Sequence, residues 1–205
     1  MTFYGRNQSK SLDLGSMSLE DLWRLFPITL RKHNPQYAQW YRQEELALRD
    51  ALKDCHIHRI NHIGSTAVEG LIAKPTIDIL LELNPDDFDA AASILIPQGW
   101  LIMARDNSEH TLDLNKGYTP QGFAEKVYHL HIKPAGDWDE LYFRDYLRSR
   151  TEVARAYEQL KIRLMKEFEY NRDAYTAAKS EFIRIHTQAA RAEFGNRYRY
   201  SSPTS

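Results

Sequence analysis

Between Thr76 and Leu83 the chain reads Thr-Ile-Asp-Ile-Leu-Leu-Glu-Leu. A run this short, apolar and β-branched at its start fits a strand buried at the centre of a sheet. Amphipathic helical patterns lie before and after it, which gives an α/β (α+β) chain. Asp78 interrupts the run. A carboxylate inside an apolar strand is costly to bury without a partner. Either Lys74 or a neighbouring loop satisfies it, or it is reserved for a metal or phosphate ligand.

The 205 residues, 42% hydrophobic and 27% charged, suffice for one domain with a real core. We place that domain at 18–195, between a polar segment 1–17 expected to be flexible and a tail 196–205 expected to fray. A formal net charge of −1 gives no electrostatic reason to expect nucleic acid as a partner. The single cysteine, Cys55, allows neither an internal disulfide nor a zinc cluster. The N-terminus lacks the apolar core of a signal peptide, and no apolar run is long enough to span a bilayer. The expectation is a cytoplasmic protein with no membrane partner.

Local signals order the rest. Ser18 with Glu20 and Asp21 starts a helix that Pro27 ends, and Ile28–Leu30 reads as a short edge strand. Pro35 opens a long amphipathic helix through Trp40, Leu46, Leu48 and Leu52. His56–Ile63 alternates as a strand, and Asn84-Pro85-Asp86-Asp87 caps a helix running to about Ile96. Trp100–Ala104, Thr111–Asn115 and Lys126–Lys133 are strand candidates. From Asp137 to about Phe194 the pattern is helical, with a break at Asn171-Arg172-Asp173.

Residues 61–80 carry the chemistry: a strand, the Gly64-Ser65 turn, a spacer, then the strand with Asp78. Glycine lets backbone approach a ligand closely, and N–H groups at such a turn can hold phosphate oxygens. Ser65 adds a hydroxyl and Lys74 a point charge beside a phosphate. Asp78 is a hard oxygen ligand suited to Mg²⁺. The same Gly-Ser pair also serves as a plain turn.

The stretches His62-Ile-Gly-Ser-Thr-Ala-Val, Gly70-Leu, Ala73-Lys-Pro and Ile77-Asp-Ile together resemble the signature of the GrpB (UPF0157) family. Tyr128-His-Leu-His-Ile132, Phe143-Arg-Asp-Tyr-Leu-Arg148, Tyr157 with Leu160-Lys161, and Tyr175 with Lys179 are similar to its later elements. The resemblance covers about residues 27 to 185. It implies a mixed β-sheet of the polymerase-β-like nucleotidyltransferase type, with flanking helices and a C-terminal helical segment. It also implies a nucleoside triphosphate as substrate with Mg²⁺ or Mn²⁺. Gly64, Ser65 and Thr66 would hold the phosphates. Asp78, Lys74 and His131 would be catalytic. Arg144 would neutralise developing charge, and Asp78, His129 and His131 would hold the metal.

Two departures qualify this. Active enzymes of that fold carry a second acid two residues after the first, and here that position is Leu80. Glu82 faces the same side of the strand, about 13 Å from Asp78, too far to share an ion. One aspartate with two histidines suits Zn²⁺ or Mn²⁺ better than Mg²⁺. Glu69 stands where the family has proline, and an acid there repels phosphate unless it points outward. His129-x-His131 is not a histidine triad, because position 133 is lysine. Arg144 and Arg148 share a helix face, converging on a phosphate or pairing with Glu140 or Glu152. Two functions follow: nucleotidyl or phosphoryl transfer to an unknown acceptor, or a non-catalytic module that binds a nucleotide or other phosphorylated small molecule. A third, partner binding through the C-terminal helices, has less behind it.

Overall fold

The computed structural model describes residues 16–200. The flexibility expected of 1–17 falls almost wholly outside these residues, as does that of 201–205.

Helix α1 (Leu19–Leu25) starts where Ser18 caps it, its side chain accepting from the Asp21 amide. Helix α2 (Tyr37–Ala51) buries Trp40 and Leu48, with Leu52 closing its end, while Leu46 points outward. Then come strand β1 (Ile57–Ile63), a single 3₁₀ turn (Ser65–Ala67) and strand β2 (Thr76–Leu83). Asn84 accepts from the Asp86 amide ahead of helix α3 (Phe88–Leu95). Strands β3 (Leu101–Asp106), β4 (Thr111–Thr119) and β5 (Gly122–Lys133) follow. Helices α4 (Asp139–Ser149), α5 (Thr151–Phe168), α6 (Arg172–Ala177) and α7 (Ser180–Phe194) complete the chain.

The sheet is mixed, in the order β1-β2-β5-β4-β3. β2 pairs antiparallel with β1 and parallel with β5, which makes it interior as its sequence predicts. Its two faces differ. Ile77, Ile79, Leu81 and Leu83 join Trp40, Leu48 and Leu52 of α2, the apolar face of α3, and Leu112, Leu114, Leu130 and Ile132 in the main core. Thr76, Asp78, Leu80 and Glu82 face the other way, since side chains alternate along a strand. There Leu80 packs with Ile63 and with Leu141 of α4.

Three expectations are corrected. Ile28–Leu30 is not a strand: Ile28 buries its side chain with Leu164 and Tyr175, and its amide donates to the Glu169 carbonyl. The neighbourhood contributes only an isolated bridge, Arg31 to Ala73. β4 and β5 run longer than expected, meeting across Thr119 and Gly122. A bulge at Gly117, whose φ is 92°, re-aims β4 so that Tyr118 packs on Phe26 and Phe123. The helical stretch also breaks at Arg150, where the backbone leaves the helical region, and again between α6 and α7. In the stretch expected to fray, Tyr198 docks on Arg144 and Asp145. Among the described residues no helix is long and apolar enough to cross a membrane.

Candidate functional site

β1 ends at Ile63, whose partner across the ladder is Asp78. Gly64 then turns the chain at φ 70°, and a Cβ at that position would collide with the Asp78 carboxylate. Only glycine satisfies both the left-handed backbone and this close approach. Thr66 stands behind the turn rather than beside a ligand. It is buried, its hydroxyl donates to the Thr76 carbonyl, and it meets His62 Nε2 at 3.0 Å. His62 stacks on Tyr41, and burial brings its imidazole down to about 4, so it is a neutral prop.

Gly64, Ser65 and Asp78 open onto a cavity of about 1200 Å³. Lys74, Thr76, Asn115, Tyr118, His129 and His131 line it from the sheet side. Tyr157 and Lys161 of α5, Arg172 and Tyr175 of α6, and Lys179 line it from the helices. Leu22, Trp23, Phe26, Ile102 and Met103 add an apolar wall.

The sheet contributes a chain of hydrogen bonds. His129 Nδ1 lies 3.2 Å from Asp78 Oδ1, and His129 Nε2 lies 2.8 Å from the Tyr118 hydroxyl. That hydroxyl accepts from Arg172 at 3.0 Å. A neutral imidazole donating to Asp78 and accepting from Tyr118 satisfies every member. Burial alone pushes the Asp78 carboxyl up. The bond from His129 and the charges of His131 and Lys74 prevail and hold it below the usual carboxylate range. One strand pair further on, His131 Nδ1 meets Asp113 of β4 at 2.7 Å. Burial disfavours the His131 imidazolium, but Asp113 and Asp78 outweigh it and raise its pKa.

The helices contribute the basic groups. Burial, with Arg172 and Lys179 nearby, brings Lys74 down to about 7. Burial, with Lys179 and Lys74 nearby, brings Lys161 to about 7; burial, with Arg172 nearby and against the pull of Asp78, brings Lys179 to about 8. Lys179 sits over the Tyr175 ring at 4.2 Å and Lys161 over Tyr157 at 4.8 Å. Four basic side chains thus share a cavity whose carboxylates are Asp78 and Asp173. Such a site is short of negative charge, and an anion entering it favours protonation of Lys74 and Lys179.

Gly64, Ser65, Lys74, Asp78, His129 and His131 come together as the sequence suggests. Arg144 does not. Its guanidinium donates to the His62 carbonyl at 3.0 Å, to Asp145 at 2.8 Å and to the Tyr198 hydroxyl at 3.0 Å, pinning α4 to β1. Arg148 donates twice to the Ala67 carbonyl and braces the 3₁₀ turn. Glu82 is buried in an ion pair with Arg59 at 2.6 Å, and Glu69 is exposed, away from the cavity. Both nitrogens of His129 are engaged by protein, and the second-acid position is the fully buried Leu80. Among the described residues no three His, Cys, Asp or Glu side chains group to hold an ion. This donor set does not fit a resident two-metal centre.

Sequence reasoning missed the roles of Lys161, Arg172, Lys179, Tyr118 and Asp113. Lys161 and Lys179, like Tyr157 and Tyr175, are marked in the sequence only as positions resembling the family's C-terminal helices.

Fold and site define a mixed α/β protein with a Gly-Ser turn, a strand aspartate and a basic cavity between sheet and C-terminal helices. Residues 27–189 match the family model described as GrpB protein, and this chain belongs to the GrpB family. It is 35% identical to a UPF0157 protein of Pseudomonas aeruginosa over 153 residues, 73% of this chain and 62% of that one. It is 25% identical to the UPF0157 protein YqkA of Bacillus subtilis over 199 residues, 91% of this chain. The crystal structure of conserved protein GrpB from Enterococcus faecalis superposes with a TM-score of 0.71 at 26% identity, covering 81% of this chain and 99% of that one. The chain spans 62% and 55% of the lengths of the Pseudomonas and Bacillus relatives.

Proposed function

We propose that the cavity binds the polyphosphate of a nucleotide and that the protein transfers a nucleotidyl or phosphoryl group from it. The observation that carries this reading is the convergence of Lys74, Arg172 and Lys179 on the Gly64-Ser65 turn beside Asp78. Several fixed cations around a glycine turn suit a ligand with several negative charges. The apolar wall with Trp23 and Phe26 offers the remainder of the ligand a place away from the charges. A Mg²⁺ or Mn²⁺ ion entering on the phosphates would meet Asp78 as a protein carboxylate, which is how Mg²⁺ is often held.

Leu80 favours a second reading, a binding module without turnover, because two-metal chemistry needs the acid it replaces. Assays for phosphate and pyrophosphate release from nucleoside triphosphates, with Mg²⁺ or Mn²⁺, separate the two. Transfer predicts turnover in the wild type that falls at least about a hundredfold in Asp78→Asn, with nucleotide affinity largely kept. Affinity without any turnover in the wild type supports the binding module.

A further inference from the structure

The floor of the cavity holds a pair that phosphate binding does not require. Ser65 opens the 3₁₀ turn after Gly64 and presents its hydroxyl to the cavity. Lys161 reaches the same point from α5, only 3% exposed, with Nζ 3.1 Å from Ser65 Oγ. Its other partner is the Ile72 carbonyl, whose own amide donates to Glu158. The charges facing Lys161 are Lys179 and Lys74, which disfavour its proton, and Glu158 and Asp78, which favour it. Burial dominates, so the amine titrates near neutrality. A neutral amine has two N–H groups and one lone pair. One N–H serves Ile72. As an ammonium Lys161 donates to Ser65 Oγ; as a neutral amine it turns its lone pair to the Ser65 hydroxyl, which Tyr157 also reaches. A hydroxyl within hydrogen-bond reach of a base that is neutral at working pH is the requirement for an activated serine, and lysine fills that role in Ser-Lys pairs.

We infer that Ser65 and Lys161 form a nucleophile–base pair and that Ser65 is the first acceptor of the transferred group. The inference rests on the transfer reading of the same cavity. Ser65 Oγ bonds to the α-phosphorus of a nucleoside triphosphate as the bond from that phosphorus to the bridging oxygen breaks. Lys161 takes the hydroxyl proton and becomes an ammonium. Pyrophosphate leaves with the bonding electrons, toward Lys74, Arg172 and Lys179. The product is a phosphodiester between Ser65 and the nucleoside monophosphate. A second acceptor or water then releases it. This identifies the initial acceptor as the protein itself.

The test uses an alkyl fluorophosphonate, a phosphorus electrophile from which an activated serine displaces fluoride, on the full chain. Labelling is read by intact mass and peptide mapping, and nucleotide binding is read separately by thermal shift. The expected result is one adduct at Ser65, absent in Ser65→Ala and slowed by nucleoside triphosphate. Its rate should rise with pH to a plateau above the amine's titration at about 7. Lys161→Arg keeps a charge near Ile72 but supplies no base, and should slow labelling at least about tenfold. Because that variant also disturbs a buried brace, the wild-type pH profile stands as an independent readout. No Ser65 adduct while nucleotides still shift the melting temperature overturns the pair and leaves the transfer reading standing. An adduct whose rate ignores both pH and Lys161→Arg also overturns it. Neither adduct nor thermal shift overturns both.

Discussion

Gly64 shows most directly how a single residue joins fold to site. Its positive φ and the Asp78 carboxylate against its Cα leave no room for a methyl group. Gly64→Ala is expected to destabilise the protein by about 2–4 kcal/mol, measured by denaturant unfolding, and to move Asp78 off His129. The buried lysines make a prediction with the opposite character. Lys74 and Lys161 stand at about 7 and Lys179 at about 8, against 10.5 for an ordinary lysine. Between those values the unfolded chain holds more protons than the folded one. Stability contributed by these residues therefore rises with pH across that window. A bound polyanion raises the pKa values of Lys74 and Lys179 and flattens the slope. Unfolding midpoints near pH 7 and near pH 9, with and without inorganic tripolyphosphate, check the sign. A free-protein slope that tripolyphosphate leaves unchanged would count against lysines that sense the ligand.

At the scale of elements, α4 divides site from scaffold. It covers Leu80, which is fully buried with Ile63 and Leu141, and its Arg144 is spent on β1 and Tyr198. Leu80→Asp is therefore expected to cost at least about 3 kcal/mol instead of completing a metal site. Arg144→Ala should cost about 2–3 kcal/mol and leave tripolyphosphate affinity of the folded protein within a few-fold. Unfolding curves with calorimetric binding on the same samples test both. What the sequence reveals of these elements follows from range. β1, β2 and the Gly-Ser turn are legible because alternation, a glycine and one misplaced acid are local signals. Asp78 stood out because its neighbours are apolar. Arg144 and Thr66 carry no local mark of facing inward, since their partners lie on β1, the tail and the start of β2. Lys161, Arg172 and Lys179 look like members of solvated helix faces. They become a cluster only because the breaks before and after α6 bring α5 and α6 over the sheet. Asp113 was hidden likewise, as its pairing with His131 depends on the β4–β5 register.

On the scale of the whole molecule, a net charge of −1 conceals a local imbalance. One sheet face is given to the apolar core with α2 and α3, and the other is left for a cavity where basic groups outnumber acidic ones. Such a cavity is an anion site held ready at some cost in self-repulsion. Removing one cation without disturbing the fold should thus help the free protein and harm the complex. The most direct test compares the thermal stability of the wild type and Lys179→Met against tripolyphosphate and a panel of nucleoside triphosphates, with and without Mg²⁺. Ligand binding to the native state raises apparent stability by mass action. The expected result is a concentration-dependent rise in the wild type, larger for at least one nucleotide than for tripolyphosphate. In Lys179→Met the free protein should melt no lower, and affinity should fall about tenfold. No shift with any of these ligands at about 1 mM, or equal shifts in both proteins, would contradict a polyphosphate site in this cavity.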